Sequence, residues 1–93
     1  MSEIEDRYQA LRRRFIERCR QDLAVLEAAL ARDVADPALR ATVHRLSGAA
    51  GTFGFPELSR IAGAMDDALI EHGRTEPAEL ARLIDAVRAL IPA

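Results

Sequence analysis

Residues 42–56 read TVHRLSGAAGTFGFP, and the fold turns on this stretch. Val43, Leu46, Ala50 and Phe53 recur at threes and fours, the spacing of one apolar helix face. Gly54-Phe55-Pro56 then stops that helix and opens another, because proline suits a first helical turn and not a helix interior. So short a link forces the two helices antiparallel. Inside the first of them sit Gly48 and Gly51, each weakening a helix interior by about 1 kcal/mol relative to alanine. A small protein seldom carries two such losses without a local reason, and His44 lies one turn before the first.

The same punctuation recurs on either side. Asp36-Pro37 precedes the quoted segment, and Gly73 through Pro77 forms a third break. Before Asp36 there is no glycine or proline, and Ile4, Tyr8, Leu11, Phe15, Cys19, Leu23, Leu26 and Leu30 step along at threes and fours. That pattern fits one long amphipathic helix, or a short helix running into a longer one. Leu39 heads the apolar line of the second segment. Leu58, Ile61, Met65 and Leu69 mark the third, and Leu80, Leu83, Ile84, Val87 and Leu90 the fourth. No stretch alternates as a strand would. The expected fold is all-α: an antiparallel up-down four-helix bundle, with or without a short extra N-terminal helix, as one domain over residues 1–93.

Composition narrows the function classes. The 93 residues are 49% hydrophobic and 30% charged, which is globular rather than disordered. Tryptophan is absent and aromatics are 4%, so the core must come from Leu, Ile, Val and Ala. The net charge of -2 disfavours wholesale binding to nucleic acid or an acidic membrane. The single cysteine, Cys19, precludes an internal disulfide framework and suits a reducing compartment. No apolar run approaches the roughly 20 residues of a membrane span, and the N-terminus lacks a signal-peptide layout. A soluble cytoplasmic monomer is the expectation.

At about 100° per residue, Leu39, Val43, Leu46, Ala50 and Phe53 fall within about 40° of one line. His44 lies about 140° from it, Gly48 about 180°, and Arg40, Ser47 and Gly51 between about 80° and 120°. The histidine therefore faces away from the core, over ground with few side chains. A helix that needed only solubility would carry Ala, Glu, Gln or Arg at positions 48 and 51. Close approach of another protein to His44 accounts for both glycines.

These residues carry a resemblance. HRLSGAAGTFG, residues 44–54, resembles the signature of histidine phosphotransfer (HPt) domains, roughly H-x-L-K-G-[SA]-[SA]-x-x-[FLV]-G. His44, Leu46, Gly48, Ala49, Ala50, Phe53 and Gly54 match position by position, and a bundle of this size covers nearly the whole chain. The resemblance implies a phosphorelay intermediate. Its histidine takes a phosphoryl group from a receiver-domain aspartyl phosphate and passes it to another receiver. By that likeness His44 is phosphorylated through Nε2, and neutral imidazole is a competent nucleophile near pH 7. Partners would be response-regulator receiver domains and a hybrid sensor histidine kinase. The Mg²⁺ of the transfer would come from the receiver, with no cofactor or metal bound here. Gly48 and Gly51 would form the close-approach surface, with Tyr8 and Leu11 adding docking area.

Two positions depart from the family pattern. Lysine usually follows the histidine by three residues, and here that residue is Ser47; Arg40 or Arg45 could supply the missing charge, and Arg40 shares the face of His44. The second is the residue 22 positions after the histidine. HPt domains often carry Gln there, and the phosphotransfer domain of chemotaxis kinases carries Glu. This chain has Asp66, whose carboxylate would accept from Nδ1–H, fix the tautomer and leave Nε2 free, or would be a solvated helix charge like Asp67.

Other candidates are weaker. His72 before Gly73 suits a helix C-terminus, where a cation is favoured. Cys19, His44 and His72 lack metal-ligand spacing. The run Arg12-Arg13-Arg14, with Arg18 and Arg20, is interleaved with Glu17 and Asp22 and reads as a solvated face able to attract an acidic receiver. No nucleotide-binding loop is visible, so self-phosphorylation is not expected. The rival reading is a non-catalytic helical adaptor that binds receiver or kinase domains without phosphotransfer.

Overall fold

All three prolines that the sequence places at helix starts stand in first turns of the computed structural model, which describes residues 2–32 and 34–92. Four helices follow in chain order: α1 Glu3–Arg32, α2 Pro37–Thr52, α3 Pro56–His72 and α4 Pro77–Leu90. No strand occurs among the described residues. Asp36 caps α2 by accepting the Ala38 amide at 2.8 Å, which satisfies one of the donors a helix start leaves open. Gly54 and Gly73 hold φ of 86° and 72°, left-handed values that a Cβ disfavours. At Gly54 the Phe55 amide reaches back 2.8 Å to the Ala50 carbonyl, a Schellman-type stop that turns the chain directly into α3.

The open choice at the N-terminus resolves to one continuous helix. α1 runs 30 residues unbroken, about 45 Å at 1.5 Å per residue. Its neighbours have only 14 to 17 residues, so they cannot cover it all. Burial on α1 begins at Phe15 and continues through Cys19, Asp22, Leu26 and Ala29. Ile4, Tyr8 and Leu11, which continue the same spacing of threes and fours, stay exposed at 82%, 38% and 41%. The stripe is real, but the described helices that pack on α1 stop short of its first turns.

The backbone of α2 runs close to α1 and α3, and that of α4 to α3 and α1, while the diagonal pairs meet only through the shared core. Tyr8 at the start of α1 bonds Thr52 at the end of α2, and Arg20 near the middle of α1 reaches the Pro92 carbonyl beyond α4. Consecutive helices therefore alternate in direction, as expected. The core inside them is aliphatic, with Leu26, Leu39, Leu46, Leu80 and Leu83 fully buried, each contributing about 1.5–3 kcal/mol of burial energy.

Polar groups also lock the helices, and here the arginine run departs from a purely solvated face. Arg12 donates to the Phe53 carbonyl at 3.2 Å and lays its guanidinium 4.5 Å from the Phe55 ring centre. Phe55 and Phe53 in turn stack on Phe15, closing that end of the core. Asp22, 3% exposed, accepts a short hydrogen bond from Arg45 across the α1–α2 seam and lies 3.5 Å from Arg18. Cys19 sits one turn away, its thiol pushed up to about 11 by burial and then by Asp22, so it stays protonated near neutral pH.

Candidate functional site

α2 buries Leu39, Thr42, Val43, Leu46 and Ala50, which turns His44 outward. Its side chain is 75% exposed. Across the α2–α3 seam, Asp66 Oδ2 lies 2.9 Å from His44 Nδ1. A carboxylate in this position accepts from Nδ1–H, and in the neutral ring that tautomer leaves the lone pair on Nε2, on the far side of the ring. Asp66 itself is 8% exposed, and its Oδ1 is buried with no hydrogen-bond partner among the described residues. The pair is thus mutual: the carboxylate orients the ring, and the ring supplies the donor that a buried carboxylate needs. Asp66 is a buried partner of His44, not a solvated charge.

Around this pair Pro37, Arg40, Ala41 and Ile70 wall an open depression of about 370 Å³. Arg40 stands beside His44 on its rim and makes no ion pair among the described residues. Arg45, the other candidate source of charge, is turned away from His44. Its partner is Asp22 on α1, because the residue after a solvent-facing histidine is rotated toward the neighbouring helix.

The remaining candidates divide. A Cβ added at Gly48 would meet nothing within 4 Å, so the ground one turn from His44 is open. Gly51 is exposed as well, but a Cβ there would lie 3.2 Å from Ser59 Oγ, so this glycine also stands at the close passage of α3. Ser47 is half-buried, and its Oγ stands 3.5 Å from where a Cβ on Gly63 would be. It faces α3, not the space in front of the imidazole. Tyr8 donates from its hydroxyl to the Thr52 carbonyl at 3.2 Å, two turns beyond His44, and Leu11 is exposed one turn further along α1. His72, 3.6 Å from Glu71, is exposed at the end of α3. Among the described residues no group of three or more His, Cys, Asp or Glu could hold a metal ion.

Two features are not apparent from periodicity and motif alone. Asp22 shares the apolar stripe of Cys19, Leu26 and Ala29, and a carboxylate in such a stripe signals a buried partner on another helix. Gly63 is a third glycine in a helix interior, the mark of a close backbone approach.

The comparisons with known proteins bear on this geometry. The model of the Hpt domain family matches residues 10–92, which span all four helices apart from the first turns of α1. No curated protein and no solved structure matches the chain.

Proposed function

Because the chain belongs to the Hpt domain family, we propose that it is a phosphorelay intermediate carrying its phosphoryl group on His44. Hpt domains serve histidine phosphotransfer in phosphorelays, act as phosphocarriers rather than catalytic enzymes, and interact with receiver domains. What carries the assignment to His44 is the ring itself: Nδ1 tied to a buried carboxylate, Nε2 outward and unencumbered.

The Nε2 lone pair attacks the phosphorus of a receiver's aspartyl phosphate. A P–N bond forms as the P–O bond breaks, and the aspartate leaves as carboxylate. Positive charge develops on the ring, and Asp66 stabilises it through the Nδ1–H bond. Arg40 supplies positive charge beside the transferring group, a role that Ser47 cannot fill. The reverse sequence loads a second receiver. Mg²⁺ belongs to the receiver and not to this chain. The receiver settles over His44 and the open ground at Gly48, with Tyr8 and Leu11 widening the contact. A hybrid sensor kinase is the upstream source, and the chain works as a monomer in the cytoplasm with these partners. No described helix is long and apolar enough to cross a membrane.

The test is direct. A receiver charged with labelled acetyl phosphate is mixed with this protein, and the label is expected to move onto it as an acid-labile, base-stable adduct. Complex formation with no label on this chain would instead make it the adaptor.

Asp66→Ala gives a graded check on the orienting role. Transfer should slow several-fold without vanishing, and ring ¹⁵N shifts should show the Nδ1–H tautomer losing its dominance. An unchanged tautomer and rate would remove Asp66 from the mechanism.

A further inference from the structure

The His44–Asp66 bond is one rung of a regular ladder between α2 and α3. Arg40, His44, Ser47 and Gly51 step down α2 at intervals of four, three and four residues. Facing them in antiparallel register are Ile70, Asp66, Gly63 and Ser59. The first rung, Arg40 with Ile70, opens into the depression beside the histidine. The second is the hydrogen bond itself, at 2.9 Å. The next two each pair a serine with a glycine, once from each helix.

Both of those rungs are close. Ser47 Oγ already stands at van der Waals distance, 3.5 Å, from the site of a Cβ on Gly63. Ser59 Oγ would be 3.2 Å from a Cβ on Gly51, tighter than ordinary contact. The same Ser59 hydroxyl donates to the Ser47 carbonyl at 2.7 Å, joining the two rungs. The separation of packed helices follows the size of the side chains between them. On the core side the two helices pack through larger buried side chains, but along this outer edge the two rungs hold only serine and glycine.

That separation decides whether Asp66 can reach. Aspartate is shorter than glutamate or glutamine by one methylene, about 1.5 Å of carbon–carbon bond. A helix pair spread by larger side chains would leave its carboxylate short of Nδ1. We propose that the serine–glycine rungs Ser47/Gly63 and Gly51/Ser59 set the α2–α3 spacing at which Asp66 meets His44, which makes Gly63, Gly51 and Ser59 positioning residues of the site. The short carboxylate and the narrow seam are matched parts. Ser47, in this account, is a packing residue whose small size the site requires. The inference deepens the reading of His44 as phosphoryl acceptor and rests on it only for the effect on transfer.

The experiment reads the unphosphorylated protein, with no receiver present, from the ¹⁵N shifts of the His44 ring at a pH where it is neutral. Gly63→Leu should spread the seam and turn the Nδ1–H tautomer from the dominant form into a minor one. Asp66→Glu alone should also weaken it, since the extra methylene does not fit the narrow seam. Combining the two should restore its dominance, a non-additivity that a merely structural role would not produce. Gly63→Ala, whose methyl stands at ordinary contact distance from Ser47, should keep the wild-type pattern. A folded Gly63→Leu protein with the wild-type tautomer, or a double variant no better than Gly63→Leu, would overturn the proposal. So would a Gly63→Ala change as large as that of Gly63→Leu. If Gly63→Leu does not fold by circular dichroism, Gly51→Ala takes its place: a smaller shift in the same direction, reversed by Asp66→Glu, is expected, and no shift refutes it. Failure of phosphotransfer alone leaves these tautomer results unaffected, so the two readings fail separately.

Discussion

His44→Gln should accept no phosphoryl label from a charged receiver while keeping the helical circular dichroism and, to within about 0.5 kcal/mol, the stability of the parent. The fold should survive for two reasons. Position 44 faces solvent with a side chain 75% exposed, so no core packing is lost. The glutamine amide is also a donor, so the buried Asp66 carboxylate is not left without a partner. The chemistry cannot survive, because an amide nitrogen has no available lone pair for attack on phosphorus. His72→Gln is the matched control. That ring is exposed at the end of α3 beside Glu71 and does not line the open depression, so its loss should leave labelling intact. Label persisting in His44→Gln would end the assignment of this site.

What the sequence makes legible and what it hides separate along one line: whether the cause is local. Proline at 37, 56 and 77 and glycine at 54 and 73 act through their own backbone, so the four helices are legible in the order of residues alone. The outward turn of His44 follows from the rotation of a single helix, and it too is legible. Cross-helix facts are not. Whether Arg45 meets Asp22 depends on how α1 is rotated against α2, which no periodicity within α2 contains. Gly51 lies off the core line of α2, yet a neighbouring helix passes within contact distance of it. Its exposure is legible from one helix alone, but the nearness of Ser59 is not. The stripe of Ile4, Tyr8 and Leu11 has the right period for a core, but period says nothing about the length of the helices that must cover it. Asp66 is intermediate: its position 22 residues after His44 comes from family likeness, while its burial and its bond to Nδ1 are matters of helix spacing.

Gly48 is where stability and function are expected to pull apart. Replacing it with leucine should stabilise the chain by about 0.5–1 kcal/mol, since leucine ranks near alanine as a helix former and glycine far below. No clash of the new Cβ should offset that gain, because beyond its own helix turn it would meet nothing within 4 Å. For a domain of this size the melting temperature should rise by about 2–8 °C. The same side chain would stand one turn from His44, on the ground where a receiver must bring its aspartate into line with Nε2. Displacement by even an ångström from that alignment can cost roughly a hundredfold in rate, so single-turnover transfer should fall by about tenfold or more. Gly48→Ala, adding one methyl, should keep the stability gain with a smaller loss of rate. Gly51→Leu supplies the contrast: Ser59 Oγ stands 3.2 Å from its Cβ, so the same propensity gain should be smaller there than at Gly48. Melting curves and transfer rates measured on the three proteins decide the matter. A Gly48→Leu protein that melts higher and still transfers at the parental rate would mean that the glycine is not there for access, and the open ground beside His44 would need another cause.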